Sequence, residues 1–180
     1  MGSRWKGCRV LTISGREPAS AVQVCPVRLC GGLWGPVPLR QCLAAWESAV
    51  RATHAFLPEQ TLVELRPVVR QALEDAARAG RLWGLADAAG RWCAFMGVDG
   101  DEVTMLFVHA AFRGKGMGGA LLRHAIAKLG ARRVDVNEDN PQARAFYAHY
   151  GFCRAGRSAV DGQGRPFPVL HLRLACIPLA

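Results

Sequence analysis

Two stretches in the first half of the chain carry apolar residues at helical spacing. The first stretch comprises Leu39, Leu43, Trp46 and Val50. The second comprises Leu62, Leu65, Val69 and Leu73. Apolar positions three or four residues apart form one stripe along a helix, so this pattern predicts two amphipathic helices. Pro58 ends the first pattern and Gly80 closes the second, while Pro67 is a position at which the second helix can kink.

Shorter apolar runs, bounded by turns rich in glycine and aspartate, predict a series of strands. These runs cover residues 21–29, 81–87, 91–98, 102–108, 133–136, 152–160 and 168–174. Runs of this length between turn residues are typical of strands, and the turns 87–90 and 161–164 favour hairpins. Pro26 limits the first strand to a sheet edge or a bulge, since proline cannot donate a ladder hydrogen bond.

Two more helices are predicted in the second half. The first covers residues 120–129 and is ended by Gly130. The second runs from Asn140 to Tyr150, because Asn is a favoured N-cap and Pro141 suits the first helical position. This order of elements predicts an α/β (α+β) protein, in which about four helices flank a mixed, mostly antiparallel sheet of about six or seven strands.

The length of 180 residues fits one domain with a sizeable core. We expect residues 21–180 to form that domain. Residues 1–20 lack periodicity and are expected to be a poorly ordered N-terminal extension. Because no apolar run approaches the ~18 residues of a spanning helix, and no secretory signal is recognisable, we expect a soluble, cytoplasmic protein without a membrane partner.

Cysteine usage and charge narrow the class of protein further. The chain has seven cysteines and no Cys-x-x-Cys pair, which argues against a disulfide framework and against a metal site. The net charge is +9, but no basic run is interleaved with aromatic residues, so nucleic-acid binding is not expected. A basic domain also suits a highly phosphorylated small ligand.

The segment from Arg113 to Gly119, Arg-Gly-Lys-Gly-Met-Gly-Gly, lies between a predicted strand and a predicted helix. Glycines let backbone N–H groups approach a ligand closely, and a following helix adds unpaired N–H donors and the positive end of its dipole. Arg113 and Lys115 add positive charge. The segment therefore predicts a cradle for a phosphate or pyrophosphate group.

Three interpretations of this cradle compete. A P-loop needs Ser or Thr after Gly-Lys, and here Gly116 follows, so that pattern fails. A dinucleotide fingerprint fits Gly114-x-Gly116-x-x-Gly119, with Asp135 at a suitable distance for the ribose. However, five residues separate the strand from Gly114, and too little chain follows for a second nucleotide-binding half. An NAD(P)-binding oxidoreductase stays an alternative.

The third interpretation is the pyrophosphate loop of acetyl-CoA enzymes. Arg113-x-x-Gly116-x-Gly118 after a strand is followed by Asn140, Tyr147 and the run Tyr150-Gly151-Phe152. This ordered set resembles the GNAT superfamily of N-acetyltransferases over residues 22–174, and the segment 51–57 is similar to a small bacterial-type subgroup. The resemblance implies the GNAT fold and acetyl-CoA as co-substrate.

The resemblance also implies roles for individual residues. The loop would bind the pyrophosphate, and the strand before it would splay from its neighbour and pair with the pantetheine arm. Tyr147, two helical turns after Asn140, would protonate the departing thiolate as a general acid. The implied cofactor-binding residues are Leu106, Phe107, Val108, Arg113, Gly114, Lys115, Gly116, Met117, Gly118, Gly119 and Asn140.

The general base is a choice among several residues, because the attacking amine must lose a proton. Asp135 matches a strand carboxylate that some members of the superfamily use, and His54 lies near the expected acceptor pocket. Glu102 and His171 are further candidates. No metal ligand is expected.

The sequence thus predicts an acyltransferase that moves an acetyl group directly from acetyl-CoA to a primary amine, without a covalent enzyme intermediate. The acceptor, a small molecule or a peptide, is not determined, and either a monomer or a homodimer is compatible. A non-catalytic acetyl-CoA-binding sensor or interaction domain is a second interpretation. Such a domain is expected to have lost Asn140 or Tyr147, and both are present.

Overall fold

The computed structural model describes residues 27–28, 36–53 and 58–175. The elements follow the predicted order, with one added 3-10 turn. They are β1 (Val27–Arg28), α1 (Pro36–Thr53), α2 (Glu59–Arg78), β2 (Leu82–Ala86), β3 (Trp92–Asp99), β4 (Glu102–Val108), the 3-10 turn Ala110–Phe112, α3 (Met117–Lys128), β5 (Arg133–Asn137), α4 (Pro141–His149), β6 (Phe152–Ser158) and β7 (Val169–Leu174).

The strands described form one seven-stranded sheet in the order β1-β2-β3-β4-β5-β7-β6. All neighbours are antiparallel except β4 and β5, which the crossover through α3 makes parallel. The predicted mixed, mostly antiparallel sheet with flanking helices is confirmed. The parallel pair contains only Glu102 with Arg133 and Val103 with Val134. Beyond these positions β4 stays with β3 and β5 stays with β7, so a gap opens between β4 and β5.

A β-bulge lies where the two parallel strands part. On β3, Gly97 pairs with Met105 and the next residue, Val98, pairs with Val103, so Thr104 is an extra residue on β4. A bulge bends its strand and increases the local twist. A Cβ at Gly97 would lie 2.8 Å from Thr104 Oγ1 and from Met105 Cε, which explains the glycine at this position. The bulge therefore accounts for the change in direction of β4 at the start of the gap.

The two faces of the sheet form two separate cores. The core under α3 and α4 includes Met117, Leu121, Leu122, Val134, Val136, Tyr147 and Phe152. The core under α1 and α2 includes Cys42, Trp46, Leu62, Leu73, Leu82 and Phe95. Strand β4 serves both, since Leu106 and Val108 pack on the first core and Met105 and Phe107 on the second. All strand residues of the second core come from β2, β3 and β4. Within the described part of the chain, no helix covers the same face of β5, β7 and β6, which we call the open face.

Some predicted boundaries differ from the structure. Helix α3 begins at Met117, three residues before the predicted start at 120. The sequence pattern missed the first turn because Gly118 and Gly119 have low helix propensity. Met117 is only 1% exposed and anchors that turn in the core. Helix α2 continues through Pro67 to Arg78 as one element.

Strand β6 ends at Ser158 instead of residue 160, and of the predicted first strand only Val27–Arg28 lies within the described residues. The predicted N-terminal extension, residues 1–20, lies outside them, as does His54. Each helix that the structure describes is too short or too polar to cross a bilayer.

Two substitutions on α2 test the assignment of its buried face. Leu73 is 1% exposed and Val63 is 58% exposed. Leu73→Ala is expected to lower the free energy of unfolding by about 2–5 kcal/mol, because it leaves a cavity in the core. The matched change Val63→Ala should stay within about 0.5 kcal/mol of the wild type. Chemical denaturation measures both, and equal losses would contradict this orientation of α2.

Candidate active site

The loop after β4 leads directly into an uncapped helix. Gly114 and Gly116 have φ angles of +74° and +78°, in the left-handed region that glycine adopts readily. Gly116 is the N-cap of α3 and offers no side chain to its first turn. The N–H groups of that turn, at residues 117–119, therefore have neither an intrahelical partner nor a side-chain cap. Together with the positive end of the helix dipole, they suit an anionic group.

Basic side chains border this loop. The guanidinium of Arg113 donates a hydrogen bond to Gln142 Oε1 in the first turn of α4. Lys115 Nζ lies 4.9 Å from the centre of the Phe112 ring. No atom lies within 4 Å of the position that a Cβ would take at Gly114 or Gly116, so the backbone is open to a ligand there.

Two glycines in the first turn of α3 allow close packing with α4 and β4. A Cβ at Gly118 would lie 3.5 Å from Val108 Cγ2 and 3.6 Å from the Phe146 ring. A Cβ at Gly119 would lie 2.0 Å from the hydroxyl of Tyr150, which also receives a hydrogen bond of 3.1 Å from Arg123. The start of α3, the end of β4 and the middle of α4 thus meet at one place.

The end of β4 carries backbone groups that the sheet does not pair. His109 N–H donates to Cys93 O at 2.8 Å, so this pair is hydrogen-bonded across β3 and β4. Hydrogen-bonded and non-hydrogen-bonded residue pairs alternate along an antiparallel ladder. The backbone N–H and C=O groups of Phe107, two residues before His109, therefore also point towards β3. The amide and carbonyl groups of Leu106 and Val108 consequently face the gap that β5 has left.

Tyr147 lies on α4, in the core that contains Leu106 and Val108. Its side chain is buried, with ring centres of Phe146 at 5.1 Å and of Phe152 at 5.7 Å. Burial raises the pKa of the Tyr147 phenol above its ordinary value, so the hydroxyl keeps its proton at neutral pH. None of the residues described hydrogen-bonds this hydroxyl, and none of their buried side-chain oxygen or nitrogen atoms lacks a partner. The hydroxyl oxygen therefore keeps a small exposed surface, although the residue as a whole is buried.

Asn140 fixes the start of α4. Its Oδ1 accepts the N–H of Ala143 at 3.0 Å, and Pro141 occupies the first helical position, as predicted. Asn140 is only 7% exposed. Capping by a buried side chain holds the first turn of α4 in place, and with it the register of Tyr147 two turns later.

Asp135 lies on the opposite face of the sheet from Tyr147. Its neighbours Val134 and Val136 point into the core under α3 and α4, so Asp135 points to the open face. Asp135 Oδ1 lies 2.8 Å from His171 Nδ1 on β7. The other ring nitrogen, His171 Nε2, lies 2.7 Å from Ser158 Oγ on β6. Three side chains from three adjacent strands thus form one hydrogen-bonded row.

The structure brings together most of the residues that the sequence singled out. The loop 113–119, the strand end 106–108 and helix α4 with Asn140 and Tyr147 surround one end of the gap. Asp135 lies on β5, immediately after the last residue that pairs with β4. His54 lies outside the described residues, so its prediction is not tested.

Sequence reasoning missed Ser158, and it considered His171 and Asp135 only as separate residues. Their contact depends on the register of β5 with β7 and of β7 with β6, for which no local signal exists. Within the described residues, no group of three or more His, Cys, Asp or Glu side chains could hold a metal ion.

Comparisons with known proteins support one family. Residues 76–154 match the model of the acetyltransferase (GNAT) domain. The peptidyl-lysine N-acetyltransferase YjaB of Escherichia coli (strain K12) is 36% identical over 132 residues, which are 73% of this chain and 87% of the relative. The solution structure of apo-form YjaB from Escherichia coli superimposes with a TM-score of 0.70 at 35% identity, covering 76% of this chain and 90% of that chain.

A more distant structure shares the fold. The PaiA N-acetyltransferase of Thermoplasma acidophilum, solved in complex with coenzyme A, superimposes with a TM-score of 0.58 at 17% identity. The match covers 75% of this chain and 92% of that chain. On the strength of the sequence relationship to YjaB and of the domain match, this protein belongs to the GNAT family of N-acetyltransferases, enzymes that take their acetyl group from acetyl-CoA.

Proposed function

We propose that the protein transfers the acetyl group of acetyl-CoA to a primary amine, and that Tyr147 donates a proton to the departing thiolate. The observation that carries this proposal is the free backbone edge of β4, which runs into the uncapped N-terminus of α3. An extended amide-containing arm can pair with the backbone of Leu106 and Val108, as an added strand would. The pyrophosphate at the end of that arm then meets the first turn of α3.

The described residues fit acetyl-CoA in three respects. Gly114 and Gly116 leave their backbone open, because no atom lies within 4 Å of the missing Cβ positions. The N–H groups of residues 117–119 supply donors for phosphate oxygens, and Arg113 and Lys115 offset the negative charge. The N–H groups at the gap can also polarise the acetyl carbonyl, which gains negative charge in the transition state.

Tyr147 suits the role of general acid. A coenzyme A thiolate leaves more readily when a phenol within hydrogen-bond reach supplies a proton. The phenol must be protonated at the start, and burial raises its pKa, which favours that form. The cap at Asn140, which sets the position of α4, supports the same role. Asp135 stays a candidate for the general base, which takes up the proton that the amine loses.

A lysine side chain of a protein is our first candidate for the acceptor. YjaB, which is 36% identical, is a peptidyl-lysine N-acetyltransferase. The ε-amine of lysine is a primary amine on a flexible stem, which can enter a narrow gap from the open face of the sheet. Polyamines and small amine metabolites are the alternatives that an acceptor screen separates from it.

The first test examines the lysine acceptor and the general acid Tyr147 in one assay. The wild-type protein should release coenzyme A from acetyl-CoA in the presence of a short lysine peptide, with acetylation of the ε-amine visible by mass spectrometry. Tyr147→Phe should lower kcat by about 100-fold, the usual size of a general-acid contribution, while the affinity for acetyl-CoA is unchanged.

The matched control is Tyr150→Phe, which removes the other tyrosine hydroxyl of the chain and its bond to Arg123. This variant should keep its turnover. Equal turnover of Tyr147→Phe and wild type would remove Tyr147 from the mechanism.

The protonation state of Tyr147 can be measured directly. In Tyr150→Phe, Tyr147 is the one remaining tyrosine, since the sequence contains two. Ultraviolet titration should show little phenolate at pH ~10, where an ordinary tyrosine is half ionised. A midpoint at the ordinary value would contradict burial of this phenol.

The loop is tested with two glycines that share one backbone conformation. Gly116 and Gly90 have φ angles of +78° and +77°, and neither has an atom near its missing Cβ. Valine at either position should strain the backbone and cost roughly 1–3 kcal/mol of stability. Only Gly116→Val should also weaken acetyl-CoA binding, by about tenfold, or ~1.4 kcal/mol. Calorimetric titration compares the variants, and undiminished affinity of Gly116→Val would exclude the loop as the pyrophosphate site.

A further inference from the structure

A 3-10 turn connects β4 to the candidate pyrophosphate loop, and its backbone donors are paired within the protein. The N–H groups of Phe112 and Arg113 donate to the carbonyls of His109 and Ala110, at 2.9 Å and 3.2 Å. The N–H of Ala111 donates to His109 Nδ1 at 3.2 Å. These three acceptors lie in the turn or directly before it. The N–H of Ala110 differs, because its acceptor comes from another element.

Ser48 on α1 supplies that acceptor. Its Oγ accepts the N–H of Ala110 at 3.1 Å, across 62 positions of the sequence. Both residues are half-buried. Trp46 and Val50, on either side of Ser48, are buried in the core under α1 and α2, so this part of α1 is fixed against the sheet. The hydrogen bond therefore ties the turn to an anchored helix.

This contact lies where the unpaired edge of β4 ends. The N–H of His109 donates to β3, and successive N–H groups of an extended strand point to opposite sides. The N–H groups of Val108 and Ala110 therefore point away from β3, as does that of Leu106. In the gap, Leu106 and Val108 keep their N–H groups available to a ligand. The third N–H of this series belongs to Ala110, and Ser48 accepts it.

The turn also determines where the loop begins. Arg113 follows the turn directly, and its guanidinium donates to Gln142 on α4. Gly114 and Gly116 come next, with the open backbone described above. A ligand that pairs with β4 and also contacts the first turn of α3 needs a fixed distance between these two elements. Because the turn joins them, a change in its position changes that distance.

A second contact of the same kind joins α1 to the sheet. Gln41 lies seven residues before Ser48, and its Oε1 accepts the N–H of Trp92 at 2.9 Å. Gln41 is half-buried like Ser48, and Trp92 is the first residue of β3. Residues seven apart lie on one face of a helix, so the two side chains share the sheet-facing side of α1. Trp92 belongs to none of the segments that form the candidate site, which makes Gln41 a matched control.

We propose that Ser48 is a positioning residue for acetyl-CoA. Its hydroxyl fixes the turn after β4, and thereby the distance from the unpaired edge of β4 to the N-terminus of α3. This assignment rests on the proposed function. Ser48 acts through the backbone of the turn and takes no part in proton transfer. It makes α1 part of the cofactor site, although this helix lies outside residues 76–154, which match the domain model.

The test is calorimetric titration of the full-length protein with acetyl-CoA. Ser48→Ala should raise the Kd by about tenfold, which corresponds to the loss of one hydrogen bond. Ser48→Thr keeps the hydroxyl and should bind acetyl-CoA as the wild type does. With the lysine peptide, Ser48→Ala should raise KM for acetyl-CoA and leave kcat unchanged, because Tyr147 does not depend on the turn.

The control variant is Gln41→Leu, which removes the other acceptor on the same face of α1. Thermal denaturation without ligand should show similar losses of stability in Gln41→Leu and Ser48→Ala, because each leaves one backbone N–H without its partner. Only Ser48→Ala should weaken acetyl-CoA binding. Hydrogen exchange followed by NMR should show faster exchange of the Ala110 amide in Ser48→Ala and unchanged exchange of that amide in Gln41→Leu.

Several outcomes would overturn the assignment. Undiminished affinity of Ser48→Ala, with faster exchange at Ala110, would show that the bond does not position the site. Equal weakening of binding by Gln41→Leu would indicate a general loosening of α1, and a failure of Ser48→Thr to restore affinity would exclude the hydroxyl. Since calorimetry needs no acceptor, a wild-type protein that binds acetyl-CoA but acetylates no lysine peptide would contradict the proposed function alone.

Discussion

The parallel strands β4 and β5 share two paired positions and then part, because Thr104 adds one residue to β4 at that point. Each strand keeps one hydrogen-bonded neighbour beyond this point, since β3 continues to pair with β4 and β7 with β5. The gap leaves backbone groups of Leu106 and Val108 without a strand partner, and water or a ligand must satisfy them. A peptide-like arm with its own amide groups meets that demand directly. The gap is therefore the part of the sheet at which we propose that such an arm binds.

The gap can persist because side-chain packing under α3 and α4 joins the two halves of the sheet. Helices α1 and α2 cover the face of β2, β3 and β4, while α3 and α4 cover the opposite face and reach across to β5, β7 and β6. Strand β4 contributes side chains to both cores by simple alternation. The core under α3 and α4 thus spans both halves and links them where hydrogen bonds between β4 and β5 are missing.

At the gap, the two faces of the sheet differ in polarity. This difference suits the proposed reaction between an anionic acetyl donor and an amine. On one side, the uncapped turn of α3 with Arg113 and Lys115 presents N–H donors and positive charge, and burial raises the pKa of the Tyr147 phenol. On the other side, Asp135 and His171 are half exposed and in contact with each other. The buried phenol and the exposed pair of side chains are thereby separated by the thickness of the sheet.

Local sequence was enough to predict the features that depend on residues a few positions apart. The helical stripes of α1 and α2, the Asn140 cap of α4, the turn 161–164 and the glycine loop all belong to this class, and the structure confirms each as a structural element. The family resemblance rested on the same local segments, and the sequence relationship to YjaB bears it out. The start of α3 was the exception, because the glycines that suit a phosphate also conceal a helical turn.

Long-range pairing accounts for what the linear pattern could not reveal. Asp135 and His171 are 36 residues apart, and only the register of β5 with β7 sets them opposite each other. Ser158 joins them through the register of β6 with β7, and nothing near Ser158 in the sequence indicates this contact. The bulge at Thr104 likewise has no local signature. Helix caps and turns are decided by neighbouring residues, whereas a gap in a sheet and a row across three strands arise only when distant segments pair.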